Sequence, residues 1–136
     1  MDAVYPLAPV AGYLAAGSLK FLVNTLREGR PAFHRIGLGG APSTHTTIVT
    51  TTAGLIGLRG GLDQPMFALA LTLAMIVMID AMDLRRKVGR QATVLKALFP
   101  GRDEVASLRE RIGHTPAEVL AGLATGAVCA FVLNLL

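Results

Sequence analysis

With 136 residues the chain amounts to one domain, 1–136, because a second core would need about 100 further residues. Hydrophobic residues make up 52% and charged residues 16%, against roughly 25% charged in an average soluble domain, and mean hydropathy is +0.54. This composition excludes disorder and disfavours a small soluble globule, whose high surface-to-volume ratio leaves nowhere to hide so much apolar side chain.

The net charge of +4 does not point to nucleic acid, because Trp is absent, aromatics are 5%, and no basic recognition segment is present. A single cysteine, Cys129, excludes an intramolecular disulfide and a cysteine metal cluster. The opening Met1-Asp2-Ala3-Val4 lacks the basic stretch of a secretory signal, so the apolar segment behind it is read as part of the mature protein.

Four segments approach the roughly 20 apolar residues that a helix needs to cross a bilayer. The first, Tyr5 to Leu26, ends in a stripe of Lys20, Asn24 and Arg27 at i, i+4 and i+7. That stripe either faces a ligand or lets Lys20 and Arg27 reach up to the headgroups. The second, Pro42 to Leu58, carries Thr44, Thr46, Thr47, Thr50, Thr51 and Thr52. It is expected inside the bundle, with threonine hydroxyls returned to the carbonyls one turn back.

The third, Gln64 to Met82, holds an apolar run from Met66 to Ile79, and the fourth runs from Pro116 to Leu136. Gly122 and Gly126 of the fourth form a G-x-x-x-G pair, which allows close helix contact within one chain or between two. The predicted class is therefore an all-α integral membrane bundle of about four spans; a soluble helical bundle that oligomerises is the alternative.

If all four cross, the 27–41 and 83–115 connections share one side and 59–63 lies on the other. Twelve of the thirteen Lys and Arg residues, Lys20 included, then fall on the first side and only Arg59 on the second. The positive-inside rule makes the first side cytoplasmic, so the basic excess is chiefly a topology signal. His34 and Arg35 are expected in a solvated loop. Within 83–115, Val94 to Phe99 is expected as an interfacial turn stopped by Pro100-Gly101, and Asp103 to Ile112 as an amphipathic helix on the membrane surface, with Arg85, Arg86, Lys87 and Arg90 before them.

Two histidine motifs stand on the inferred cytoplasmic side, Gly39-Gly40-Ala41-Pro42-Ser43-Thr44-His45 and Gly113-His114-Thr115-Pro116-Ala117-Glu118. Each is expected to open a helix with proline in its first turn, where free N–H groups and the helix dipole favour phosphate. Together with Asp80-Ala81-Met82-Asp83-Leu84-Arg85-Arg86, Gly89-Arg90-Gln91-Ala92, Val119 and Ala121-Gly122, these motifs resemble the divergent branch of the PAP2 acid phosphatase and vanadium haloperoxidase superfamily. That branch comprises small membrane proteins of bacteria and plastids.

The resemblance implies three motifs. Lys20 and Arg30-Pro31 match the first with three extra residues between them, and Pro42-Ser43-Thr44-His45 matches the second. Ser107, His114 and Glu118 match the third, with glutamate for aspartate and Leu108 where the family has arginine. Arg85, Arg86, Arg109 and Arg111 are alternatives for that arginine.

By the same resemblance, His114 is the nucleophile that becomes a phosphohistidine, Glu118 orients it, and His45 protonates the leaving group. Lys20, Arg30, Ser43 and one or more of Arg85, Arg86 and Arg109 would hold phosphate, with no cofactor and no metal. The implied activity is a membrane phosphatase acting on a lipid phosphate monoester or polyprenyl (di)phosphate at the cytoplasmic face of a bacterial inner membrane. Its partners would be lipids, with self-association left open.

Plainer readings stand beside these. Thr115-Pro116-Ala117-Glu118 is also a capping box, and Ser43 can serve its own helix's first turn. Asp80 and Asp83, at i and i+3, suit Mg²⁺ with a substrate phosphate or local pairing, Asp83 with Lys87 being in the favourable order. As a whole, the chain can also be read as a non-catalytic membrane protein that binds anionic headgroups or a protein partner.

Overall fold

The computed structural model describes residues 4–33 and 40–136. Met1, Asp2 and Ala3, and the stretch with His34, Arg35 and Gly39, lie outside the described residues. The described elements are helices: α1 (Val4–Glu28), α2 (Thr44–Gly60), α3 (Pro65–Ile79), a π turn (Asp80–Leu84), α4 (Arg85–Leu98), the short α5 (Asp103–Ala106) and α6 (Pro116–Asn134). Among the described residues there is no strand.

Three helices are long and apolar enough to cross a membrane: Val4–Glu28, the continuous Pro65–Leu98, and Pro116–Asn134. The remaining expected span, α2, has 17 residues. It sits in the middle, touching α1, α3 and α6, while α1 also meets α6. The placement of the threonine-rich helix inside the bundle is thus met. Thr46, Thr47 and Thr51 are fully buried, and Thr47, Thr51 and Thr52 donate to the carbonyls of Ser43, Thr47 and Ile48 at 2.9, 2.8 and 3.1 Å.

Small residues let these helices approach. A Cβ on Gly122 would lie 2.8 Å from the Ser43 carbonyl oxygen, and one on Gly126 2.6 Å from Cβ of Thr50. The G-x-x-x-G pair therefore serves the α2–α6 contact within this chain. Ala8, Gly12 and Ala16 give α1 its buried face. In contrast, α3 buries only Ala74, and Leu69, Leu73, Met75, Ile76 and Ile79 stand exposed on it, as lipid contact requires.

Two boundaries differ from expectation. Pro42 precedes α2 instead of opening it: Ser43 is the N-cap and the helix starts at Thr44. The third helix does not end near Met82 but continues through the π turn into α4 and stops at Leu98. The charged stretch from Arg85 is helical, since Arg, Lys, Gln, Ala and Leu are all good helix formers. The amphipathic helix is accordingly Arg85–Leu98, while in 103–112 only Asp103–Ala106 is helical.

The segment that follows α5 is laid back on α4. Glu110 pairs with Lys96 at 3.0 Å and accepts from Thr93 Oγ1 at 3.2 Å. A side chain on Gly89 would run into the Glu110 carbonyl, so this crossing requires glycine.

Candidate functional site

The carboxy-terminal end of α1, the start of α2, the π turn and the start of α6 meet at one end of the bundle. Backbone bonds make the junction: Ser43 N–H donates to the Glu118 carbonyl and His114 N–H to the Ala81 carbonyl, both at 2.9 Å. Gly113 makes the second bond feasible with φ 90°, where a Cβ would sit 2.8 Å from Arg86 Cγ and 3.0 Å from the Ala81 oxygen.

These bonds bring both histidines to one cavity of about 720 Å³. His45, Thr44 and Lys20 line it, together with Arg85, Arg109, Arg111 and His114. Its other wall is a face of α1, Tyr13, Leu14, Gly17, Ser18, Phe21 and Asn24, joined by Phe33. The cavity thus has a basic end and an apolar side.

His114 is only 9% exposed, and its Nδ1 lies 3.2 Å from Glu118 Oε2. With the carboxylate ionised, Nδ1 carries the proton and donates, which leaves the lone pair on Nε2. The same Glu118 oxygen accepts from Thr115 N–H at 2.9 Å, and Thr115 Oγ1 accepts from Glu118 N–H at 3.3 Å. Glu118 is therefore both the closing member of a capping box and the partner of His114.

Lys20 Nζ donates to Thr44 Oγ1 at 3.2 Å, fixing the cation where α1 meets α2. Glu118 acts electrostatically on Lys20, and His45 lies in the field of Arg85, His114, Asp80 and Lys20. Arg85 Nε donates to Asp80 Oδ2 at 2.6 Å.

Other predicted residues fall elsewhere. Arg30 is exposed beside Glu28, 4.0 Å away, and neither it nor Arg27 lines the cavity. Ser43 is fully buried, its Oγ accepting from Thr46 N at 3.4 Å and Thr46 Oγ1 at 2.9 Å. Its placement is that of a cap. Arg86 lies against Gly113, outside the cavity lining.

Ser107 turns back to the Glu104 carbonyl at 3.1 Å, and Leu108 is also outside the lining. Asp83 pairs with Lys87 at 2.8 Å and Asp80 with Arg85. Among the described residues, no three His, Cys, Asp or Glu side chains gather as a metal site.

Each helix start has a side-chain cap, Ser43 taking the Thr46 N–H on α2 and Thr115 taking the Glu118 N–H on α6. The apolar wall and Thr44 were not anticipated, although Tyr13, Gly17, Lys20 and Asn24 form a legible i, i+4, i+7, i+11 stripe.

A small helical membrane protein with paired histidines and a basic cavity at one end of its bundle is the class that this arrangement defines. The chain belongs to the divergent PAP2 family, whose model matches residues 4–129. It is 36% identical over 111 residues to the uncharacterized membrane protein YuiD of Bacillus subtilis (strain 168), with 70% of each chain covered. No solved structure matches it.

Proposed function

We propose that this membrane protein hydrolyses a phosphate monoester carried on a lipid, or a polyprenyl (di)phosphate, at the cytoplasmic face of the membrane. The observation that carries this reading is the His114–Glu118 pair opening on a cavity shared with His45, Lys20 and Arg85. The apolar wall from α1 suits an acyl or prenyl chain that stays in the bilayer while its phosphate enters the basic end. The cytoplasmic orientation rests on the distribution of Lys and Arg.

In the first step Nε2 of neutral His114 attacks phosphorus, and the bond to the ester oxygen breaks. Protonated His45 gives its proton to the departing alkoxide, a role that contributes about 10²–10⁴-fold. In the second step water attacks the phosphohistidine, His45 takes the water's proton, and inorganic phosphate leaves with His114 restored. Glu118 holds the Nδ1–H tautomer and stabilises the cation formed at His114. Lys20 and a guanidinium stabilise the charge spread over the equatorial oxygens.

A second reading, a headgroup-binding protein without turnover, draws support from Leu108 at the family's arginine position and from Ser107 lying outside the cavity. Incubating purified protein with a panel of lipid phosphates, with and without orthovanadate, separates the two. Phosphate release that vanadate inhibits, that EDTA leaves undiminished and that His114→Ala abolishes is expected. Headgroup binding without release from any substrate would favour the second reading.

A further inference from the structure

The cavity offers three arginines, and they differ in how they are held. Arg109 and Arg111 stand exposed on the irregular stretch after α5, with no hydrogen bond or ion pair fixing either guanidinium among the described residues. Ordering such long side chains around an anion costs conformational entropy. Arg85 is already ordered: its Nε donates to Asp80 Oδ2 at 2.6 Å, and both side chains are partly buried, at 38% and 30% exposure.

The π turn makes this pair. In a regular α-helix residues four apart stack, so Leu84 would overlie Asp80. Here the wider turn sends the Arg85 backbone N–H to the Asp80 carbonyl, which brings the fifth residue onto the same face. Such bulges are frequent at functional sites. Among the described residues only Nε is engaged, both terminal amino groups of the fork having no partner there, and Arg85 lines the cavity whereas Asp80 does not. The carboxylate steers the arginine without facing the anion itself.

We infer that Arg85 is the guanidinium that grips the phosphate oxygens in this cavity, with Asp80 as its positioning residue across the π turn. Arg85 thereby takes over the task left vacant by Leu108. This inference rests on reading the cavity as a phosphate site, and on nothing further in the proposed catalytic cycle. A preset fork gives bidentate contact that a lysine or a mobile arginine does not match.

The test uses purified full-length protein in lipid nanodiscs, with orthovanadate as the binding probe and a lipid phosphate as substrate. Arg85→Gln is expected to weaken vanadate binding and lower kcat, each by about 100-fold. Arg85→Lys should recover only part of this, and added guanidinium ion should partly restore Arg85→Ala. Asp80→Ala should weaken vanadate binding about tenfold, and Asp80→Asn, whose amide oxygen can still accept from Nε, should regain most of it. Arg90→Gln, a surface charge on α4 away from the cavity, controls for the loss of one cation, and helix content by circular dichroism controls for folding.

Vanadate affinity in folded Arg85→Gln within about twofold of wild type would overturn the inference, as would a wild type that binds no vanadate. If vanadate binding depends on Arg85 but no lipid phosphate is turned over, the phosphatase reading fails and the arginine assignment stands.

Discussion

Glu118 serves two neighbours with one oxygen, Thr115 N–H and His114 Nδ1, and the two tasks respond differently to charge. Glu118→Gln keeps an oxygen for the cap but loses the negative charge that stabilises a cationic imidazole. Stability is expected to change by less than about 1 kcal/mol, while turnover falls by about 10²–10⁴-fold. Thermal unfolding and initial rates on one preparation check both halves, and equal loss in the two would reduce Glu118 to a cap. The histidines were visible in the sequence because each stands beside a proline and a capping residue. Their meeting was not, since it depends on the bonds from Ser43 to Glu118 and from His114 to Ala81, which join residues far apart in the chain. The place of Arg30, exposed beside Glu28 and outside the cavity lining, was not legible for a related reason: Arg-Pro is a local match, and placement is not local.

Among the helices, the α2–α6 contact is where small side chains carry most weight, because lipid offers no hydrophobic drive for association and van der Waals contact must supply it. Gly126→Ala would put a methyl 2.6 Å from Thr50 Cβ, and a loss of about 1–3 kcal/mol is expected, measurable as a lower thermal midpoint in detergent. Glu110 gives a pH-dependent counterpart on α4. The hydrogen bond from Lys96, then that from Thr93, holds its carboxyl below the ordinary carboxylate range. A depressed carboxylate pKa stabilises the docked arrangement above the unfolded value, and that contribution is lost as pH falls through the lower, folded value. Hydrogen exchange across 107–113 should therefore accelerate on acidification below the usual carboxylate range, and Glu110→Gln should remove the effect. This helix was hidden by its charge. The apolar run marks α3 clearly, but hydropathy says nothing of a helix that continues past the span, and no local pattern announces a π turn.

The composition that first disfavoured a soluble globule agrees with the fold, in which large apolar side chains on α1, α3 and α6 remain uncovered by protein. The chain should stay in the membrane fraction after alkaline carbonate washing and leave it only in detergent; release without detergent would contradict the assignment. Span number was legible from run length alone for three helices, and α2 was harder because threonine dilutes its hydropathy. Its 17 residues reach about 25 Å, some 5 Å less than a typical hydrocarbon layer. The helix that bears His45 is thus shorter than α1 and α6, which pack against it. Were α2 to cross at the centre of the bundle, the bilayer around the bundle would have to thin toward its length, which would make the bilayer's thickness a physical input to the site. Turnover in nanodiscs of graded acyl-chain length should peak in thin bilayers and decline as the membrane thickens.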